Sequence, residues 1–457
     1  MKYLGIEFEV KNMPSLDADF IPFEPWIREY LSCAKNPIAI AVERTGGKCS
    51  VYRSFLRSED FAEANYRYLE RLVKFLLWSI GGYRVYIAGC DALVLRLKDE
   101  YRRGGKRDFD AGFTYDVFER ELDIIVCSMA DMPAESEGGA AIGGHMDGCR
   151  IGFDAGGSDR KVSAVIDGKT VYSEEVIWLP KLNEDPQYHF DGILDSFRRA
   201  ASKMPRVDAI GVSSAGVYVD NCPMVASLFI KVPKCRREEV KTIYKRAAAE
   251  IGDVPLTVAN DGDVTALAGA MSLGTGGVLG IAMGTSEAVG YISPDGKVMG
   301  WLNELAFAPV DLNEDSLGDE WSHDIGVGCK YFSQDAVIKL APKAGIKLDD
   351  TLSLAEKLKE VQKLAESGHA GAEAIFVSIG AYLGHTLALY SRFYTINYVL
   401  VLGRVASGRG GELLIGECCR VLRDEYPELA EKFKVTLPDD NMRRVGQSVA
   451  AASLPEI

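Results

Sequence analysis

Asp154 closes the apolar run Ile151-Gly152-Phe153, and Gly156-Gly157-Ser158 and then Lys161 follow it. Glycines at such a turn let backbone N–H groups approach an anion closely, and a serine hydroxyl and a lysine ammonium extend the cradle. A carboxylate leaving the strand toward the same place suits a hydrated Mg²⁺. The chemistry is that of a phosphate held beside a divalent cation. An ordinary hairpin with an incidental acid has the same pattern, since glycine-rich turns alone are weak signals.

Three further stretches carry the same kind of residue. Asn260-Asp261 ends the apolar run Leu256–Ala259, and a helix is expected from Gly262. A carboxylate at the carboxyl end of a strand lies where open α/β sheets keep their sites, and helix capping is the competing role. Gly284-Thr285-Ser286 forms a second glycine–hydroxyl turn about 130 residues after the first. The two turns suit a clamp on phosphates from opposite sides. Gly403, Arg404, Ser407 and Gly408 lie in a loop between the buried run Tyr398–Leu402 and a helix from Glu412. Such a loop at a helix N-terminus is a natural seat for a nucleotide.

The elements that must position these residues alternate strand and helix. Ile151–Phe153 and Val162–Ile166 alternate apolar and polar on either side of the Gly156–Ser158 turn, which predicts a hairpin. Lys169–Trp178 is a third strand, Phe190–Met204 a helix, Ala209–Ser214 a buried strand and Glu238–Ile251 a helix. The last third is mostly helical, including Gln334–Leu340, Ser353–Ala365 and Gly371–Phe393. Upstream, residues 36–130 form an α/β module of their own. It has strands at Ile38–Val42, Ser50–Leu56, Tyr83–Ala88 and Leu122–Cys127, and helices at Phe61–Ile80 and Asp91–Tyr101. Its Glu43-Arg44-Thr45-Gly46-Gly47-Lys48 turn echoes the first, but no acid stands where Asp154 does, so it is assigned an interaction or substrate-shaping role. Residues 1 to about 35, with Pro14, Pro22 and Pro25, read as a surface lead-in. Pro133–Gly148 reads as a linker, and His145 within it as a solvated residue. The boundaries that follow are 1–132, the linker 133–148, a lobe at 149–261 that includes the closing helix 442–457, and a lobe at 262–441.

A net charge of −14 over 457 residues argues against nucleic acid as a partner, because phosphate backbones select basic surfaces. No uninterrupted apolar stretch approaches a membrane span, and acids stand in the first nine residues where a signal peptide needs an apolar core. A cytoplasmic protein without membrane contact is expected. The ten cysteines show no C-x-x-C pair, which reads as reduced and mostly buried thiols, Cys418-Cys419 in the core among them.

The order of these motifs resembles the ROK family of sugar kinases and sugar-responsive repressors, within the actin-like ATPase superfamily. The resemblance covers about residues 149–457. Asp154-Ala155-Gly156-Gly157-Ser158 with Lys161 is similar to the family's D-x-G-G-T-x-x-K, and Asn260-Asp261 to its Asn-Asp pair. Gly284-Thr285-Ser286 is similar to the opening of G-T-G-x-G, with Ser286 and Ala288 replacing the later glycines. Gly403 with the small residues after it resembles the adenosine motif, and Val445–Ala452 the closing helix. The departures are specific. Asn303-Glu304-Leu305-Ala306-Phe307 stands where the family has Gly-Glu-[Ile/Leu]-Gly-His, and Ser227-Leu228 stands at its sugar-contacting Asn-Leu. The zinc signature C-x-C-G-x-x-G-C falls on Ser322–Cys329, where only Cys329 is a thiol, so a structural zinc is not expected.

The resemblance implies a two-lobed, ribonuclease H-like α/β fold with an additional N-terminal α/β module. It also implies phosphoryl transfer from ATP·Mg²⁺ to a hydroxyl of a sugar or polyol, in a cytoplasmic homodimer. Asp261 would be the general base. Asp154 would hold Mg²⁺ through water. Gly156, Gly157, Ser158, Lys161, Gly284, Thr285 and Ser286 would bind phosphates, and Gly403, Arg404, Ser407 and Gly408 the adenosine. Ser214, Asn260, Asp261 and Glu304 would bind the acceptor. The alternatives are a kinase for a non-hexose acceptor and a non-catalytic ATP- or sugar-binding sensor, which Phe307 favours. The N-terminal module shows no basic recognition helix, so DNA binding is not expected.

Overall fold

The computed structural model describes residues 1–137, 143–438 and 446–457. Residues 138–142 of the expected linker and 442–445 of the expected closing helix lie outside the described residues.

The first lobe is built on a five-stranded sheet. Its order is Leu256–Asn260, Ala209–Ser214, Cys149–Ala155, Asp159–Ile166, Lys169–Ile177. The first three strands are parallel, and the last two fold back as antiparallel neighbours. The near-continuous burial of Cys149–Ala155 and Ala209–Ser214 is that of strands covered on both faces. Helices Pro186–Ala201 and Ile243–Ala249 supply apolar partners such as Phe197 and Tyr244 on one side. Helix Gln447–Ala452 covers the other side so closely that a Cβ at Gly152 would overlap the Ser448 carbonyl, and one at Gly211 the Ala451 carbonyl. Glycine in the strands and alanine in the helix are what permit that approach.

The second lobe carries a four-stranded sheet in the order Glu287–Ile292, Val278–Met283, Tyr398–Leu402, Lys434–Thr436, with only the first pair antiparallel. Helix Asp261–Leu273 leaves the first-lobe sheet at Asn260 and packs on this second sheet, so Asn260-Asp261 is where the chain crosses between lobes. Helix Ala370–Tyr390 is, among the described residues, the one helix long and apolar enough to cross a membrane, which the expectation of no span-length apolar stretch had not included. Its apolar surface is spent on packing: 83% of its apolar window is buried, against helix Gly408–Glu425 among others.

The N-terminal region has its own four-stranded sheet in the order Cys49–Leu56, Asn36–Glu43, Arg84–Ala88, Asp123–Cys127. Its core is not its own. Helix Ala62–Ser79 and the second lobe form one continuous apolar cluster, in which Phe75 stacks on Phe393 with centroids 4.2 Å apart. Residues 1–35 depart from the surface lead-in that the sequence predicts. Phe20 is buried, and helix Phe23–Ser32 drives Trp26 and Tyr30 into the same cluster. Pro25 sits in the first turn of that helix, where the missing N–H has no intrahelical partner to lose. A further helix, Asp108–Phe118, also went unpredicted. Ser136 and Glu137 of the expected linker are anchored: Ser136 exchanges two 2.8 Å backbone hydrogen bonds with Cys49, and Glu137 pairs with the buried Arg44 at 2.6 Å.

Candidate active site

The parallel register places Ser213 opposite Asp154 and Ser214 opposite Asn260, so the carboxyl ends of three neighbouring strands converge at one place. Ser213 Oγ donates to Asp154 Oδ1 at 3.0 Å. Among the described residues no Lys, Arg or His nitrogen comes within ion-pair distance of Asp154. Burial pushes its carboxyl up to about 6, with Asp261 adding to the rise and the Ser213 hydroxyl and Lys161 opposing it. Lys161 stands directly across the hairpin from Asp154, yet its ammonium lies 3.6 Å from the exposed Glu175.

Asn260 caps helix Asp261–Leu273: its Oδ1 accepts from Gly262 N at 2.7 Å, and its Nδ2 donates to Gly216 O at 2.7 Å. The capping role considered for Asp261 is therefore filled mainly by its neighbour. The assignment of Asn260 as an acceptor ligand meets an amide already engaged at both ends. Asp261 Oδ1 shares the Gly262 N–H at 3.0 Å, and the second carboxylate oxygen is left for other partners. Burial raises its carboxyl above the ordinary range, against the pull of the Gly262 N–H and of Lys181.

Two more acids complete the group. Asp263, buried, accepts from Tyr291 N and from Asn303 Nδ2, each at 3.0 Å, and burial pushes it up to about 7. Glu304 also rises to about 7, through burial first and then the charges of Asp261 and Asp263. The N-terminal region positions Glu304 directly. The N–H groups of Leu302, Asn303 and Glu304 donate to the carbonyls of Ile80, Ser79 and Trp78 at 3.1, 2.9 and 2.9 Å. These are carbonyls that the end of helix Ala62–Ser79 leaves without intrahelical donors. Where the resemblance puts a histidine, the Phe307 ring packs on Trp78 and Phe109, with centroids at 4.5 and 5.2 Å.

Beside Asn260 opens a cavity of about 380 Å³, bounded by the hairpin tip Arg44, Thr45 and Lys48, by Phe118, and by Gly216 and Asn221. Asp154, Asp261 and Glu304 are not among its walls.

The remaining expected residues fall into two groups. Gly157 and Ser158 are exposed and Gly156 half-buried in a turn tied down by Trp178 Nε1, which donates to Gly156 O at 2.8 Å. Ser214 is fully buried, and its hydroxyl accepts from Tyr218 and Tyr244 at 2.6 and 3.0 Å, so it holds tyrosines in place and does not face an acceptor. On the second lobe, the Gly284–Ser286 turn and the 403–408 loop are neighbours. Arg404 Nη2 donates to Thr285 Oγ1 at 3.0 Å, and Val405 N to Met283 O at 3.0 Å. Gly403 has φ +90°, and a Cβ there would overlap the Met283 carbonyl. The helix start at Gly408 does not stand open to a phosphate: Arg409 N donates to Glu366 Oε1 at 2.7 Å, so the chain's own carboxylate holds that position. Ser407 Oγ donates to Arg404 O at 2.7 Å, closing the loop on itself.

The Ser322–Cys329 segment is fixed by charge. Asp324 meets Arg71, Lys74 and Arg107 at 3.1, 3.1 and 2.7 Å, all of them buried. Cys329 Sγ donates to Asp319 Oδ1 at 3.4 Å, and burial pushes its thiol well above the ordinary range.

Two lobes joined at an Asn-Asp crossing, with a small-residue helix closing the first sheet, make the ROK-type actin-like ATPase fold. The sequence matches no protein-family model and no curated protein sequence. Among solved structures it is similar to a ROK family transcriptional regulator, a homologue of the E. coli MLC protein, with a TM-score of 0.51 at 14% identity over 68% of this chain and 79% of that one. It is similar also to a ROK hexokinase from Thermus thermophilus (TM-score 0.49, 17% identity, 67% and 97% covered). A ROK glucokinase from Streptomyces griseus, solved with glucose and AMPPNP, has a TM-score of 0.45 at 18% identity over 66% and 98%. Of these, the likeness to the regulator, at a TM-score of 0.51, speaks for the fold alone.

Sequence reasoning missed Lys181, Ser213 and Asp263. Asp263 is two residues beyond Asp261 on the same helix and carried a signal; Ser213 and Lys181 depend on sheet register and on a loop crossing.

Proposed function

We propose that the chain is an ATP-dependent kinase that phosphorylates a hydroxyl of a sugar or related polyol. The observation that carries this reading is the pairing of Asp154 and Asp261. The two carboxylates stand at the ends of strands flanking one central strand, burial raises both above the ordinary range, and the charge of Asp261 adds to the rise at Asp154. The acceptor oxygen forms a bond to the γ-phosphorus, the bond to the β–γ bridging oxygen breaks, its electron pair leaves on ADP, and the hydroxyl proton passes to Asp261. A carboxyl raised by burial is a better base than a solvated one. Asp154 fits a hydrated Mg²⁺, since it is a desolvated acid without a cationic side chain in reach, and such an ion neutralises charge on the transferring group. The Gly156–Ser158 turn and the Gly284–Ser286 turn would hold phosphates, and Glu304 would bind the acceptor. The packing of the Phe307 ring on Trp78 and Phe109, where the resemblance puts a histidine, favours an acceptor other than a simple hexose. A cytoplasmic homodimer belongs to this reading, as the resemblance implies.

The second reading is a nucleotide- or sugar-binding sensor of the same fold. Glu366 at the Gly408 helix start, Arg404 on Thr285 and the fold likeness to a transcriptional regulator favour it.

The test is ADP release from ATP·Mg²⁺ with a panel of sugars, amino sugars and polyols, beside Asp261→Asn. Acceptor-dependent turnover that falls about 10²–10⁴-fold in the variant is the expected result. Nucleotide binding without turnover on any acceptor supports the sensor, absence of nucleotide binding overturns the kinase reading, and absence of sugar binding as well overturns the sensor.

A further inference from the structure

We infer that Lys181 is a catalytic cation that contacts the transferring phosphoryl group between the Gly156–Ser158 turn and Asp261; this rests on the kinase reading above. Lys181 lies in the short turn Pro180–Leu182, after the last strand of the first-lobe sheet. Its side chain crosses the tip of the hairpin. A Cβ built on Gly157 would lie 2.8 Å from Lys181 Cε and 3.0 Å from its Nζ, so the missing side chain of Gly157 is the space the lysine stem occupies. The charge of Lys181 is also felt at Asp261, whose carboxyl it pulls down against the effect of burial.

The backbone that carries Lys181 is pinned from three directions. Tyr188 Oη accepts from Leu179 N at 3.0 Å, Asn183 Nδ2 donates to Leu179 O at 2.8 Å, and the buried His189 ring lies 3.0 Å from Pro180 O. The side chain itself is exposed, and among the described residues no carboxylate lies within ion-pair distance of its ammonium. Lys161, the lysine the motif would nominate, stands beside Glu175 instead. An unpaired cation held over a glycine turn, its charge felt at the candidate base, is suited to the negative charge that gathers on the phosphoryl oxygens during transfer. Preorganised donors at such a place act on the transition state more than on the ground state.

The experiment compares wild type, Lys181→Met and Lys181→Arg. It measures turnover with ATP·Mg²⁺ and the best acceptor of the panel, and binding of ADP and AMPPNP by calorimetry. Removal of one preorganised donor costs about 10²–10³-fold in kcat. The expected result for Lys181→Met is a loss of that size, weaker AMPPNP binding, ADP binding within twofold of wild type and an unchanged melting midpoint, with Lys181→Arg restoring at least a tenth of the rate. Turnover of Lys181→Met within threefold of wild type overturns the role of Lys181 and leaves the kinase reading standing. An equal loss of ADP and AMPPNP binding overturns it too, by showing a general structural effect. Wild-type protein that binds neither nucleotide overturns the kinase reading itself, and the inference with it.

Discussion

Replacing Asp324 by asparagine keeps the shape of the side chain and removes one charge from a buried network. Its members are Glu70, Asp110 and Asp324 against Arg71, Lys74 and Arg107, whose side chains are 0–5% exposed. Among these six the sum is zero, three acids facing three cations, and Arg67 at the edge, 3.9 Å from Glu70, is offset by the exposed Glu314 at 3.5 Å. Against the desolvation that burial imposes, Arg71, Lys74 and Arg107 hold Asp324 well below the usual carboxylate range, and Glu70 is likewise lowered to about 2. Asp324→Asn leaves one uncompensated positive charge inside the protein, and breaking a buried pair in this way costs about 3–5 kcal/mol. An unfolding entropy of about 2.1 cal/mol/K per residue turns that into a fall in melting midpoint of about 3–5 °C if all 457 residues melt together. If the N-terminal region and second lobe melt as a unit of about 300 residues, the fall is about 5–8 °C. Scanning calorimetry reads the shift. Adding Arg107→Met restores the balance at two acids to two cations, since Glu70 keeps Arg71 and Asp110 keeps Lys74, and more than half of the lost stability is expected to return. A fall below 1 °C for Asp324→Asn, or a double variant whose loss equals the sum of the singles, would refute the claim that charge balance holds the 319–330 segment to helix Ala62–Ser79.

Glu287 is buried with both carboxylate oxygens outside any hydrogen bond of ordinary geometry, the neighbouring Tyr390 hydroxyl is likewise unpaired, and burial pushes the carboxyl up to about 8. A raised carboxyl binds its proton more tightly folded than unfolded, so its contribution to stability is complete below the unfolded value near 4.5 and is lost as pH rises through about 8. Glu287→Gln should gain on wild type by up to about 1.4 kcal/mol per pH unit across that window, read as urea midpoints at pH 5, 6, 7 and 8; parallel curves would show the acid is not buried as described. Gly211→Ala puts a methyl group into the Ala451 carbonyl and should cost about 1–3 kcal/mol by lifting the closing helix. Its check is faster proteolytic loss of the C-terminus, and a cleavage rate equal to wild type would sink the close-packing argument.

Period-two alternation and a glycine turn are local properties, so the hairpin that carries Asp154 and the strand that ends at Asn260 were legible from the residues alone. So was the strand–helix order that makes an α/β sheet, because each element announces itself within a dozen residues. The helix Phe23–Ser32 was not, since three prolines mask a first turn that tolerates one of them. Nor could any local pattern show which charges meet. Asp324 and Arg71 are separated by more than 250 positions and joined only by packing. Glu366 closes a helix start whose glycines read as an open anion seat, and Phe307 takes its meaning from Trp78 and Phe109, on helices far upstream. Lys181 is an ordinary surface lysine in sequence and becomes a candidate only where its stem crosses Gly157. Local pattern carried the strands and helices of the two lobes and the acids at the strand ends, though not the helices Phe23–Ser32 and Asp108–Phe118. Tertiary structure decided which side chains those acids face, because burial and pairing depend on distances that only the packed chain defines.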